Sequence, residues 1–196
     1  MVISYSEAHG DLAGLRLSEA ARMLGTDPLG AVIKLLVDDE GATGMIVFTM
    51  SEDDVRTVIS HPLVAIGSDG LVVRKGVGKP HPRFYGTFPR ILGRYVRELK
   101  LMSLPEAVRK MTSLPARKLG LWDRGLIRPG MAADIVAFDP RRVADRATYE
   151  DPEQPPEGIE YVIVNGGLVV EEGEHTGARP GRLLRRSGNA YIRGVG

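Results

Sequence analysis

The chain has no cysteine among its 196 residues. Disulfides, thiolate nucleophiles and cysteine-based zinc sites are therefore excluded within it, which agrees with a reducing compartment. Aromatic residues are sparse, at 6% with a single tryptophan, so no aromatic interleaving accompanies the basic residues as it would in a nucleic-acid surface. Neither sign of charge dominates: 26 Lys and Arg face 25 Asp and Glu. No overall field draws the chain to nucleic acid or to an acidic membrane surface, and a charged ligand must be held locally. Long apolar runs are missing too. None approaches the roughly 20 residues that span a bilayer. The opening Met1-Val2-Ile3-Ser4-Tyr5-Ser6-Glu7 lacks the basic and apolar regions of a signal peptide, so a cytoplasmic location is expected.

What is present is the composition of a folded chain, 43% hydrophobic and 26% charged, enough for one substantial core or two small ones. The 24 Gly and 13 Pro cluster between apolar runs, as expected of many short elements joined by tight turns. There is no internal repeat.

The first part alternates short apolar runs with helical patterns, the sequence form of parallel βαβ units. Residues 2–5 read as a strand and 17–24 as a helix with Ser18 at its N-cap. Asp27-Pro28 opens a second helix with apolar positions through Val37, since Pro suits a first turn and Asp satisfies its free amides. Strands are expected over 45–49 and 63–66, the latter ending in Gly67-Ser68-Asp69-Gly70, with an acidic-capped helix over 51–60 between them. A Gly-, Pro-, Lys- and Arg-rich loop is expected over 71–89, followed by a helix over 91–100. Loops of that length tend to be functional. Ser103-Leu104-Pro105-Glu106 caps a further helix, and Ser113-Leu114-Pro115-Ala116 starts a short one. From Gly120 the pattern turns β: a strand at 125–127, another at 134–138, then a hairpin of 161–164 and 168–170 turned by Asn165-Gly166-Gly167. A boundary is therefore expected near residue 120, dividing the chain into 1–119 and 120–196. The basic tail after Arg179, with the cluster Arg182, Arg185 and Arg186, reads as a solvated terminus.

Gly67-Ser68-Asp69-Gly70, His81-Pro82-Arg83 and Tyr85-Gly86-Thr87-Phe88-Pro89-Arg90-Ile91-Leu92-Gly93 resemble, in that order, the D-aminoacylase (N-acyl-D-amino-acid deacylase) family of the amidohydrolase superfamily. Met111-Thr112-Ser113-Leu114-Pro115-Ala116 and Gly130-Met131-Ala132-Ala133-Asp134-Ile135-Val136 continue the match. The last of these marks only the superfamily; the His-Pro-Arg and Gly-Thr-Phe-Pro-Arg segments are more specific. The resemblance implies an α/β fold, the C-terminal part of a (β/α)8 barrel over 1–119 followed by strands of a small β-sandwich over 120–196. The expected strands 45–49 and 63–66 would be the last two of the barrel. It also implies zinc-dependent cleavage of the amide of N-acyl-D-amino acids to a carboxylic acid and a D-amino acid. The family's main metal ligands, a His-x-His pair, a Cys and two further His, have no counterpart among His9, His61, His81 and His175. The chain is thus expected to be a C-terminal portion that lacks the first half of its barrel. Zinc would belong to the parent enzyme, and this portion alone would bind none and be inactive.

By position alone Asp69 reads as a turn residue, because Asp-Gly after a strand is common turn chemistry. The resemblance assigns it a catalytic role at the C-terminal end of a barrel strand: the matching Asp sits beside zinc, takes a proton from the attacking water and delivers it to the leaving amine. Its own contact with the metal would be weak or indirect. Arg83, otherwise a surface residue of a Pro-rich loop, would bind the substrate α-carboxylate through its planar fork. His81 would support substrate binding as a hydrogen-bond donor behind the site. His61 precedes its expected strand, at the stability-bearing face of a barrel, and His9 and His175 read as solvated or locally bonded.

Two other readings compete. A dihydroorotase- or hydantoinase-like cyclic amidohydrolase is disfavoured by the His-Pro-Arg and Gly-Thr-Phe-Pro-Arg segments. A non-catalytic folding or interaction module draws support from the missing ligands. A partial barrel also leaves strand edges unpaired, so self-association is expected. The expected partners are a small N-acyl amino acid, the complementary half of the barrel and further copies of the chain, with neither nucleic acid nor membrane.

Overall fold

The computed structural model describes residues 1–184, whose contacts group them into two units. The first comprises Met1–Glu52, Ser68–Thr87 and Arg146–Pro155. Its strand β1 (Val2–Tyr5) pairs antiparallel with β2 (Gly44–Ile46), placing Val2 opposite Ile46 and Ile3 opposite Met45. Two helices, α1 (Leu17–Met23) and α2 (Pro28–Asp38), pack on one another. Ile3, Leu12, Ala20 and Leu35 form their shared core. α2 starts as its sequence predicts: Asp27 Oδ1 accepts the Gly30 N–H at 2.7 Å and Pro28 fills the first turn. α1 starts differently. Ser18 lies inside the helix, Arg16 is the cap residue, and its N–H donates to Glu19 Oε2 at 2.7 Å. That carboxylate satisfies an amide that a Ser18 cap would have left facing solvent.

The second unit comprises Asp53–Gly67, Phe88–Asp145 and Pro156 onward. Here α3 (Glu52–Ser60), α5 (Leu104–Met111) and α6 (Ser113–Leu119) accompany an antiparallel sheet in the order β3 (Ile135–Phe138), β4 (Ile159–Val164), β5 (Gly167–Glu171), β6 (Glu174–His175). The β4–β5 hairpin turns on Asn165 and Gly166 at φ 47° and 80°, the doubly left-handed turn that Asn-Gly favours. Ile66, Ile91, Leu92, Tyr95, Ala107 and Val143 are its buried core. Lys110 is wholly buried: its Nζ donates to Ile59 O at 2.7 Å and, in a shorter bond, to His61 O.

Several expectations need correction. The strand expected over 45–49 is shorter, Gly44–Ile46, and pairs antiparallel with β1, while 63–66 is not a strand. No parallel pair occurs among the described residues. A parallel strand exists only where neighbours take up its N–H and C=O groups; the Ile66 N–H instead donates to Lys110 O at 3.0 Å. The loop expected over 71–89 ends early, because α4 (Arg83–Arg90) forms straight after Pro82. Beyond it the chain winds into π-helical turns over Ile91–Glu98 rather than a regular α-helix. Pro89 lies inside α4 and has no N–H to donate to the preceding turn, which loosens the helical ladder at that point. Residues 125–127 are not a strand: Gly125 is left-handed, at φ 85°, and a Cβ there would stand 2.9 Å from Ala116 Cβ. β6 is an additional strand. Arg185 and Arg186 lie outside the described residues. Among those described, no helix is long and apolar enough to cross a membrane.

Candidate active site

The Gly-Ser-Asp-Gly segment makes a tight turn. Ser68 Oγ accepts the Gly70 N–H at 3.2 Å, and Asp69 takes a left-handed backbone at φ 48°, a conformation Asp tolerates better than most residues. Gly70 is required by proximity: a Cβ there would stand 3.2 Å from Phe84 Cα. The turn therefore lies against the first residues of α4.

Arg83, the first residue of α4, holds that turn from the other side. Its Nη2 is 2.7 Å from Asp69 Oδ2 and its Nε donates to Asp69 O at 3.0 Å. One guanidinium thus grips both the carboxylate and the main chain of the same residue. The Asp69 side chain is 84% exposed and that of Arg83 41%. An exposed pair adds at most about 1 kcal/mol to stability, so the contact orients Asp69 more than it stabilises the fold.

His81 completes the group. Its Nδ1 accepts the Arg83 N–H at 3.0 Å, which puts the proton of the neutral ring on Nε2, 3.3 Å from the Tyr149 hydroxyl. Burial, and then the Arg83 cation, push the His81 pKa below its ordinary value, against the opposing pull of Asp69. The neutral ring so favoured is the form whose lone pair can receive Arg83 N–H. Tyr149 packs edge-on against His81 and Phe48, with centroids at 5.2 Å and 4.9 Å. Asp69, Arg83 and His81, all singled out in the sequence, are therefore brought together. Tyr149 was not anticipated, because Thr148-Tyr149-Glu150 carries no motif and its tie to His81 spans 68 residues.

Arg83 and His81 also line a cleft of about 620 Å3, together with Arg74, Met45, Leu71 and Phe84 among others. That size and mostly apolar lining suit a small organic ligand. The loop forming one wall is pinned twice: Glu153 accepts the Gly76 N–H at 2.8 Å and 3.0 Å, and Lys79 N–H donates to Ser4 O at 2.6 Å. Between these anchors Gly78 is left-handed, and a Cβ there would come within 2.4 Å of Ser4 O.

The donor set does not fit a zinc ion on its own. No three His, Asp or Glu side chains among the described residues cluster as ligands, and the Asp69 carboxylate is engaged by Arg83. The remaining histidines are bonded locally. His9 Nε2 lies 2.6 Å from Asp38 Oδ2, His61 Nδ1 accepts the Leu63 N–H, and His175 Nδ1 accepts the Gly177 N–H.

Comparison with known proteins places these features in context. Residues 5–170 match the model of the amidohydrolase family. The chain is 44% identical to N-acyl-D-glutamate deacylase of Alcaligenes xylosoxydans xylosoxydans over 184 residues, 94% of this chain and 36% of that protein. It is 41% identical to D-aminoacylase of the same organism over 186 residues, 95% of this chain and 37% of the relative. Among solved structures, the N-acyl-D-glutamate deacylase of Bordetella bronchiseptica, complexed with zinc and a phosphonate mimic of the tetrahedral intermediate, superposes with a TM-score of 0.79 at 44% identity. That superposition covers 86% of this chain and 34% of the other. The chain thus spans about a third of the length of the curated relatives it matches. It belongs to the amidohydrolase family.

Proposed function

We propose that this chain supplies the C-terminal portion of a zinc-dependent hydrolase that cleaves the amide of N-acyl-D-amino acids. In this reading residues 1–119 contribute the end of a (β/α)8 barrel and 120–196 part of a small β-sandwich. Residues 45–49 and 63–66 become barrel strands once neighbouring strands receive their backbone groups. Zinc supplies Lewis acidity and is held by ligands from the rest of the enzyme, since the described side chains do not make a site. The enzyme works in the cytoplasm, and this chain pairs with its complementary half or with further copies of itself.

The observation that carries the reading is the two-point grip of Arg83 on Asp69 beside the cleft. Hydrolysis requires a base that takes a proton from the attacking water and returns it to the departing nitrogen as the C–N bond breaks. Asp69 suits that task because its short side chain is fixed through both backbone and carboxylate. Arg83 keeps free donors at Nη1, for which no hydrogen-bond partner occurs among the described residues. A substrate α-carboxylate can occupy that edge of the fork while Nε and Nη2 still hold Asp69. His81, bonded to the Arg83 N–H, fixes the start of α4.

The test is a chimera in which this chain replaces the matched stretch of the Alcaligenes N-acyl-D-glutamate deacylase. Zinc-dependent release of free D-amino acid is expected. Asp69→Asn should lower turnover by about 10² to 10⁴, the usual weight of a positioned acid–base group, with an unchanged circular dichroism spectrum. Turnover in Asp69→Asn equal to that of the parent chimera would sink the role given to Asp69.

A further inference from the structure

The first turn of α4 depends on a side chain for one of its bonds. The N–H groups of Phe84, Tyr85 and Gly86 donate to main-chain oxygens, His81 O for the first and Pro82 O for the other two, each at 3.0 Å. The Arg83 N–H donates instead to His81 Nδ1, at 3.0 Å. That acceptor exists only while the Nδ1 lone pair is free; with a proton on Nδ1, two donors would face each other. The start of α4 therefore depends on which ring nitrogen of His81 carries the proton. The bond made by one imidazole nitrogen sets the state of the other, and Tyr149 Oη lies 3.3 Å from Nε2. The segment carrying Tyr149 is tied down by bonds other than that one. Glu150 O accepts from Lys79 Nζ at 3.1 Å, the Glu153 carboxylate accepts the Gly76 N–H, and the Asp151 N–H donates to Thr148 Oγ1 at 2.9 Å.

We propose that Tyr149 is a positioning residue for Asp69 and Arg83: its hydroxyl accepts from His81 Nε2 and holds the ring in the tautomer whose Nδ1 receives the Arg83 N–H. The root of the Arg83 side chain is then fixed before its guanidinium reaches Asp69 at Oδ2 and O. The inference rests on the deacylase reading for what Asp69 and Arg83 do. It goes beyond it in giving control of their geometry to a residue that lies 68 positions after His81. The ring and the hydroxyl of Tyr149 have separable parts. The ring packs edge-on against His81 and Phe48, which fills space, whereas only the hydroxyl can select a tautomer. A tyrosine here with no hydrogen-bonding task would be replaceable by phenylalanine.

In the full 196-residue chain, two NMR readouts separate these parts: the His81 ring nitrogens, whose shifts report the tautomer, and hydrogen exchange at single amides. The parent should show a free Nδ1 lone pair and a protonated Nε2 at neutral pH. Tyr149→Phe keeps the ring packing. It should mix the two tautomers and speed exchange at the Arg83 amide about two- to tenfold, the weight of one hydrogen bond. The Phe84 amide, bonded to His81 O, should exchange as before. Adding Tyr149→Phe to His81→Asn should change nothing, because the Asn carbonyl accepts without a tautomer to select. In the chimera, Tyr149→Phe should raise KM by a similar factor, since the fork that meets the substrate carboxylate loses its fixed root. Arg83 exchange equal to the parent's, acceleration of Arg83 and Phe84 together, acceleration that persists beside His81→Asn, or an unmoved KM would each overturn the role of Tyr149 and leave the deacylase reading standing. An inactive parent chimera sinks that reading alone, and the exchange measurements still decide whether Tyr149 holds Arg83 on Asp69.

Discussion

Asp39, the residue after α2, is the most fully bonded carboxylate of the first unit. It accepts from Thr43 Oγ1 at 2.5 Å, from the Ala8 N–H at 2.9 Å and from Ser6 Oγ at 3.0 Å. These bonds, that from Thr43 foremost, hold its carboxyl below the ordinary value of 3.8 although burial opposes them. A group whose pKa is lowered by folding adds stability above its unfolded value and loses it as pH falls through the folded one. Urea unfolding should therefore show the Asp39 contribution intact at pH 6 and declining below about pH 3.8. Asp39→Asn should be less stable at pH 6, with the gap to the parent closing in acid; a constant gap down to pH 2 would mean that Asp39 acts through shape alone. The same scale separates Asp69 and Arg83 from such structural groups. Their pairing leaves both side chains accessible, which a folding role does not require and a binding role does.

Among the elements, Lys110 in α5 offers the sharpest test. Its buried Nζ satisfies Ile59 O and His61 O, carbonyls at the C-terminal end of α3 where a cation also suits the helix dipole. Lys110→Met keeps the aliphatic stem but orphans both carbonyls. It should cost about 2–4 kcal/mol by the usual penalty for buried unsatisfied groups, read as a lower urea midpoint. A midpoint equal to the parent's would show that water or a shifted backbone replaces the amine. What the sequence revealed at this scale follows the range of the forces involved. α2, α5 and the β4–β5 hairpin were legible because Asp27, Ser103 and Asn165-Gly166 act on neighbours within a few residues. The strand expected over 63–66 was not, since pairing depends on partners distant in sequence. α4 was hidden by Pro82 and Pro89, which punctuate a loop as readily as they bracket a helix. In the site, the motif order singled out Asp69, Arg83 and His81. The edge-on packing of Tyr149 against His81 needed the fold, because it has no local signature.

For the whole molecule the open question is what covers its apolar surface. The buried face of α2 presents Ala31 and Leu35 to the core. Yet Leu29, Ile33, Leu36 and Val37 on the same helix remain 67%, 55%, 46% and 69% exposed. These positions lie four, seven and eight residues apart from Leu29, so they share one side of the helix. Met45, Val47 and Phe48, at and just beyond β2, are also about half exposed or more, and among the described residues β2 has only β1 as a strand partner. Exposed apolar stripes and open sheet edges favour association between chains. The chain on its own is therefore expected to self-associate as concentration rises, by analytical ultracentrifugation, with Ile33→Glu shifting it toward monomer by placing a charge in the α2 stripe. A parent chain that sediments as a monodisperse monomer at high concentration would show this surface to be tolerated in water. Association unchanged by Ile33→Glu would move the contact from α2 to the β2 edge, where a charge at Val47 is the next substitution to try.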